Sequence, residues 1–82
     1  PLKLYPNPTG NEATISMSFK KADHFVISVL DIQGREVVPV IERDFTTGEQ
    51  QVAINTSELV NGMYFVQIAS GSEKVTVQSL PI

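Results

Sequence analysis

Apolar and polar residues alternate with a period of two along most of this chain. Ala13, Ile15, Met17 and Phe19 are separated by Thr14, Ser16 and Ser18, the pattern of a strand with one buried face. Phe25, Ile27 and Val29 repeat it, and Val26 and Leu30 on the other face imply burial on both sides. Gln33-Gly34 then marks a turn in which Gly34 supplies a positive φ. Arg35 to Ile41 resumes extended structure. Pro39 interrupts that run without a ladder donor, so the strand belongs at an edge or carries a bulge. Thr46-Thr47-Gly48 is the next turn, and Val52 and Ile54 alternate after it. Between Asn55 and Asn61 the alternation fails, and Thr56 or Ser57 is placed to cap a single helical turn through Glu58-Leu59. Asn61-Gly62, with Gly62 expected at positive φ, opens a strand from Met63 to Ala69 that carries Tyr64, Val66 and Ile68 on one face. Ser70-Gly71-Ser72 is the last turn, before a strand from Glu73 to Gln78 with Val75 and Val77 inward.

The start of the chain is stiff. In Leu4-Tyr5-Pro6-Asn7-Pro8-Thr9-Gly10 each proline fixes its own φ and pushes the residue before it, Tyr5 or Asn7, toward extended geometry. A short strand, Leu2 to Tyr5, therefore runs into a rigid elbow turned by Thr9-Gly10-Asn11. About seven strands at a spacing of roughly 8–12 residues, with no helix-length amphipathic segment, predict an all-β fold. We expect a small Ig-like β-sandwich of mainly antiparallel strands over residues 2–78, with residues 79–82 as a C-terminal tail.

Composition narrows the function. At 82 residues the chain is one domain, of a size that buries only about 60% of its unfolded surface. It has no cysteine and one histidine, so the fold rests on apolar packing, which 41% hydrophobic residues can supply. A net charge of −3 with six scattered Lys and Arg leaves no electrostatic footprint for nucleic acid or anionic membranes. No apolar run approaches the roughly 18 residues of a membrane span. The start at Pro1, without a methionine or signal peptide, suggests a piece of a longer protein whose targeting signals lie upstream.

The chemistry-bearing residues point away from catalysis. His24 follows Asp23, but adjacent strand residues face opposite ways, so a surface histidine beside a turn is the expectation. There is no thiol nucleophile, and a serine lacks a second base to orient a relay. Glu42 and Asp44 share a face roughly 6.5–7 Å apart if extended, within the range of glycosidase carboxylates, yet so small a chain offers no cleft for them. Glu42, Asp44 and Glu49 flank one turn without the oxygen density that calcium demands; a charged edge that blunts strand pairing explains them. Asn55-Thr56-Ser57 matches a glycosylation sequon, a short pattern common by chance. Carbohydrate binding would need exposed aromatic platforms; there is no tryptophan, Tyr64 reads as core, and Phe65, beside Met63 on the other face, is the sole candidate. No cofactor, metal or small-molecule substrate is expected.

Four elements in order, LYPNPTG, ISVLDIQGREV, LVNGMYFVQI and EKVTVQ, resemble the C-terminal sorting domain of proteins exported by the type IX (Por) secretion system of Bacteroidetes. The resemblance spans Leu2 to Gln78. The family's Tyr-Pro-Asn-Pro element corresponds to Tyr5, Pro6, Asn7 and Pro8. Its strand-Gly-Arg-x-Val hairpin corresponds to Val29, Leu30 and Asp31 with Gly34, Arg35 and Val37. The Gly-x-Tyr-x-Val-x-Ile element is Gly62, Tyr64, Val66 and Ile68, and the terminal lysine-bearing strand is Lys74 to Gln78. Members commonly finish within or just after that strand, often with a second lysine, whereas this chain continues through Ser79-Leu80-Pro81-Ile82.

The resemblance implies a non-enzymatic address. A larger cargo would cross the inner membrane, fold in the periplasm and be taken by the outer-membrane translocon to the medium or the cell surface. A sortase-like peptidase would then remove the domain by a cut upstream, before Leu2. The motif residues Tyr5, Pro6, Asn7, Pro8, Gly34, Arg35, Gly62, Tyr64, Val66 and Ile68 are expected to build the fold. Lys74, Val75, Val77 and Gln78, on a final strand at a sheet edge, are the candidates for translocon recognition. Such an edge also permits a weak dimer of an otherwise monomeric domain, including by strand exchange. The alternative is a carbohydrate-binding or adhesive module of a cell-surface protein, which would occur in tandem copies.

Overall fold

A computed structural model describes residues 3–6, 11–71 and 75–82. Seven strands follow one another in these residues: β1 (Lys3–Pro6), β2 (Glu12–Phe19), β3 (Asp23–Leu30), β4 (Ile41–Phe45), β5 (Gly48–Asn55), β6 (Met63–Ser70) and β7 (Val75–Pro81). They form two antiparallel sheets, ordered β1-β2-β5 and β4-β3-β6-β7. The β-sandwich is as the alternation predicts. Ala13, Ile15, Met17, Val52 and Ile54 of the three-stranded sheet meet Phe25, Ile27, Val29, Tyr64, Val66 and Ile68 of the four-stranded sheet in one core. Phe19, Phe25 and Phe45 close one end of it, with ring centroids 4.4–5.6 Å apart.

The fourth strand is displaced from its expected place. Of Arg35 to Ile41, only Glu36 makes a bridge, opposite Leu30, and regular pairing resumes where Ile41 meets Ile27. The returning chain takes five steps, 36 to 41, against three on β3, 30 to 27, so two residues are in excess. Pro39 lies in that excess, where its missing donor costs no ladder bond. β4 then runs as an edge strand to Phe45.

Three turn assignments also resolve. Gly34 has φ +83 and Gly48 φ +99, the left-handed geometry that favours glycine. Gly62 is not at positive φ, contrary to expectation; its N–H and C=O instead pair with Ile82, each bond 2.9 Å. After β5 there is no helical turn. Leu59 N–H donates to the Thr56 carbonyl at 3.1 Å in a tight turn, and the Asn55 side chain accepts from Ser57 N–H at 2.9 Å.

Candidate recognition site

The last strand departs most from its sequence reading. Val75 and Val77 are 55% and 56% exposed, and the buried residue of β7 is Leu80, at 1%. Register gives the reason. Thr76, Gln78 and Leu80 stand opposite Ile68, Val66 and Tyr64, all core residues, so the even positions face inward and Val75, Val77 and Ser79 share the outer face with Ala69, Gln67 and Phe65. Ser79 to Pro81, read above as tail, continue the strand, because burial of Leu80 and the Gly62–Ile82 pairing hold the chain on β6 to its last residue.

β7 is an edge, and its backbone polarity follows from the same register. Opposed residues of an antiparallel pair alternate between those exchanging both backbone bonds and those exchanging none. Gly62 and Ile82 exchange both. Counting back along β7, Leu80, Gln78 and Thr76 bond to β6, while Ser79, Val77 and Val75 turn N–H and C=O to the open side. Pro81 turns out a carbonyl alone. Among the described residues no strand lies beyond β7.

The edges differ in charge. β4 exposes Glu42, Arg43 and Asp44, β5 exposes Glu49, and β1 carries Lys3 and ends in Pro6, all devices that discourage strand addition. β7 carries no charged residue from Val75 to Pro81. Behind it on the outer face stand Met63, exposed, and Phe65, half-buried rather than fully exposed.

The other candidate residues sit in the frame around this edge. Asp31 and Arg35 close the turn after β3. The Asp31 carboxylate accepts from the N–H of Gln33 (2.9 Å) and of Arg35 (3.0 Å) and from Arg35 Nε (2.9 Å). The Arg35 backbone N–H above all, then its side chain and the Gln33 N–H, hold Asp31 below the usual carboxylate range. Tyr64 is buried, and its hydroxyl donates to the Val60 carbonyl at 2.7 Å. Val66 and Ile68 are core. Tyr5 is exposed on the outer face of the three-stranded sheet, with Pro6 next to it in β1. Asn7, Pro8 and Lys74 lie outside the described residues, as do Leu2, the Thr9-Gly10 elbow and Ser72.

One cluster escaped the sequence reading. His24, exposed as expected and the second residue of β3, stands opposite Asp44 of β4, with its Nδ1 2.7 Å from the Asp44 carboxylate and its Nε2 3.3 Å from Glu42. Two carboxylates ask both ring nitrogens to donate, which favours the imidazolium; Asp44 first and Glu42 second raise its pKa above the ordinary 6.5. The sign follows. A folded pKa above the unfolded one adds stability that is complete below 6.5 and is lost as pH rises through the folded value. A histidine NMR titration should give a His24 pKa above 6.5 that falls back toward it in Asp44→Asn. A wild-type value at or below 6.5 would show that the clamp does not form. No group of side chains among the described residues is arranged to hold a metal.

Comparison with known proteins bears on the whole chain. The model of one family, the secretion system C-terminal sorting domain, matches residues 3–81. The chain belongs to that family. No curated protein matches it. The family is the sorting domain of the type IX secretion system, and it places the protein carrying this domain among those exported through the outer membrane, secreted or at the cell surface. The matched range reaches Pro81, the last residue of β7.

Proposed function

We propose that this sorting domain is a non-catalytic address that hands a larger, folded cargo from the periplasm to the outer-membrane type IX translocon. What carries the reading is the family match along residues 3–81, and the open, uncharged edge of β7 supports it with a place for contact. Val75, Val77 and Gln78, with Lys74 just before them, are the recognition residues. The motif residues act by building the frame: Gly34 and Arg35 shape the turn on Asp31, Gly62 ties β6 to Ile82, and Tyr64, Val66 and Ile68 fill the core beneath the edge. Tyr5 and Pro6 start the sandwich as the end of β1. A sortase-like peptidase then cuts upstream of the domain. The acting unit is a monomer or a weak edge-strand dimer.

The test is a fluorescent reporter with a periplasmic signal peptide and this domain at its C-terminus, expressed in a type IX-competent host and in a translocon-null strain. Reporter in the medium or on the surface is expected only with the translocon and the intact domain, and truncation after Ser72 should abolish it. Folded reporter held in the periplasm of both strains would remove the proposal and turn attention to glycan binding on the outer face around Phe65.

A further inference from the structure

We infer that the address is read through the backbone of β7: its open edge takes up one uncharged, extended segment of the partner, paired with Val75, Val77 and Ser79. This rests on the reading of the domain as an export address. Every second residue of β7 turns both its N–H and its C=O outward, and these three do so in sequence. Pro81 lacks the donor that would continue the row, so complete pairing covers Val75 to Ser79, about 14 Å of strand. Strand addition of this kind takes its affinity from main-chain bonds and its preference from alternate side chains.

Charge and area identify the occupant. The edge offers no charge to pair, while β4 on the far side of the same sheet is charged and tied to His24, so an uncharged segment is accepted at one edge and refused at the other. A second copy meeting at β7 would join only these few residues a side, against the roughly 20–30 a side of a stable interface. The segment therefore belongs to a larger surface, one that also reaches the exposed Val75, Val77 and Met63 on the outer face. Side-chain recognition is then secondary: a change that spares the outward N–H groups should matter less than one that removes them.

Val77→Pro separates the two. Proline there removes an outward donor and leaves the bonds of Thr76, Gln78 and Leu80 to β6 in place, the setting in which edge strands tolerate it. Val77→Thr keeps the donor and the branched shape. In the reporter assay Val77→Pro should cut export by roughly tenfold or more, the loss of one to two hydrogen bonds and a close approach, with the reporter folded in the periplasm, while Val77→Thr exports like the unsubstituted domain. Undiminished export of Val77→Pro would overturn the inference and leave the export address standing, provided truncation after Ser72 still blocks export. Export surviving that truncation would also overturn the inference, because β7 would then be dispensable; retention of the unsubstituted fusion in both strains is what removes the address itself. Unfolding of both Val77→Pro and Ser79→Pro in thermal melts would show that these N–H groups bond within the domain, and would also overturn it. So would a dimer on size-exclusion chromatography that Val77→Pro dissolves while export continues, because the occupant would then be a second copy.

Discussion

Leu80→Ala should lower the unfolding free energy by about 2–5 kcal/mol, the range for emptying a buried leucine site. A domain of 82 residues has about 4–12 kcal/mol in all, so the substitution takes a large share and leaves a measurable unfolded fraction. Leu80 is the one buried side chain of β7, set opposite Tyr64 among core residues. The Gly62–Ile82 bonds and the partial packing of Ile82 against the core follow it. Urea unfolding should show the midpoint falling with little change in slope. By contrast Val75→Ala, at an exposed position on the same strand, should change stability by no more than about 0.5 kcal/mol. If Leu80→Ala is as mild as Val75→Ala, the last residues do not pack as described. In the reporter assay the two terminal variants part company: Leu80→Ala loses export together with folded protein, whereas Val77→Pro loses export while keeping the fold.

That contrast marks where sequence patterning stops. In β2, β3 and β6 the apolar alternation marks the inward face, since both neighbours of these strands lie within the sandwich and a full face needs covering; Ile15, Ile27 and Val66 are placed correctly by it, although Val26, Leu30, Met63 and Phe65 stand on the outer face. In β7 the same rule offers two faces, and hydrophobicity chooses the wrong one. Val75 and Val77 outnumber Leu80, yet only Leu80 lies over the core, because an edge strand covers the core along part of its length and tolerates Thr76 and Gln78 beside open solvent. Nothing local distinguishes these cases. The register against β6 does, and register is a property of two strands.

The same limit explains the His24 cluster. Asp23-His24 and Glu42-Arg43-Asp44 are legible separately, but their meeting depends on Ile41 pairing with Ile27 after the two-residue excess at Pro39. A reader who took Arg35 to Ile41 as the strand would set β4 two residues out of register, with Glu42 rather than Asp44 opposite His24 and Asp44 carried past the start of β3. The turn at Asp31 lies at the other extreme: donors and acceptor fall within five residues, so the sequence around Gly34-Arg35 carries it whole. Local chemistry is readable, and cross-strand chemistry waits for the pairing.

Phe45→Ala should test that pairing from the core side, at a loss of about 3–5 kcal/mol. Its ring lies 5.2 Å from Phe19 and 5.6 Å from Phe25, so truncation removes one member of a cluster that joins the two sheets. It also removes the main anchor of β4, where Ile41 is half-buried and Glu42, Arg43 and Asp44 are exposed. A strand held at one end by its last residue should loosen along its length when that residue is lost. Hydrogen exchange should therefore accelerate in β4 before the rest of the four-stranded sheet, under conditions where the variant is still folded. His24 gives a second, independent reading: its raised pKa comes from Asp44 and Glu42 on that strand, so it should move down toward 6.5 in the folded variant. Loss of stability with an unmoved His24 pKa would mean that cross-strand pairing, rather than Phe45, holds β4 in place. Because β7 lies at the far edge of the sheet, the fraction of Phe45→Ala that remains folded should still be exported.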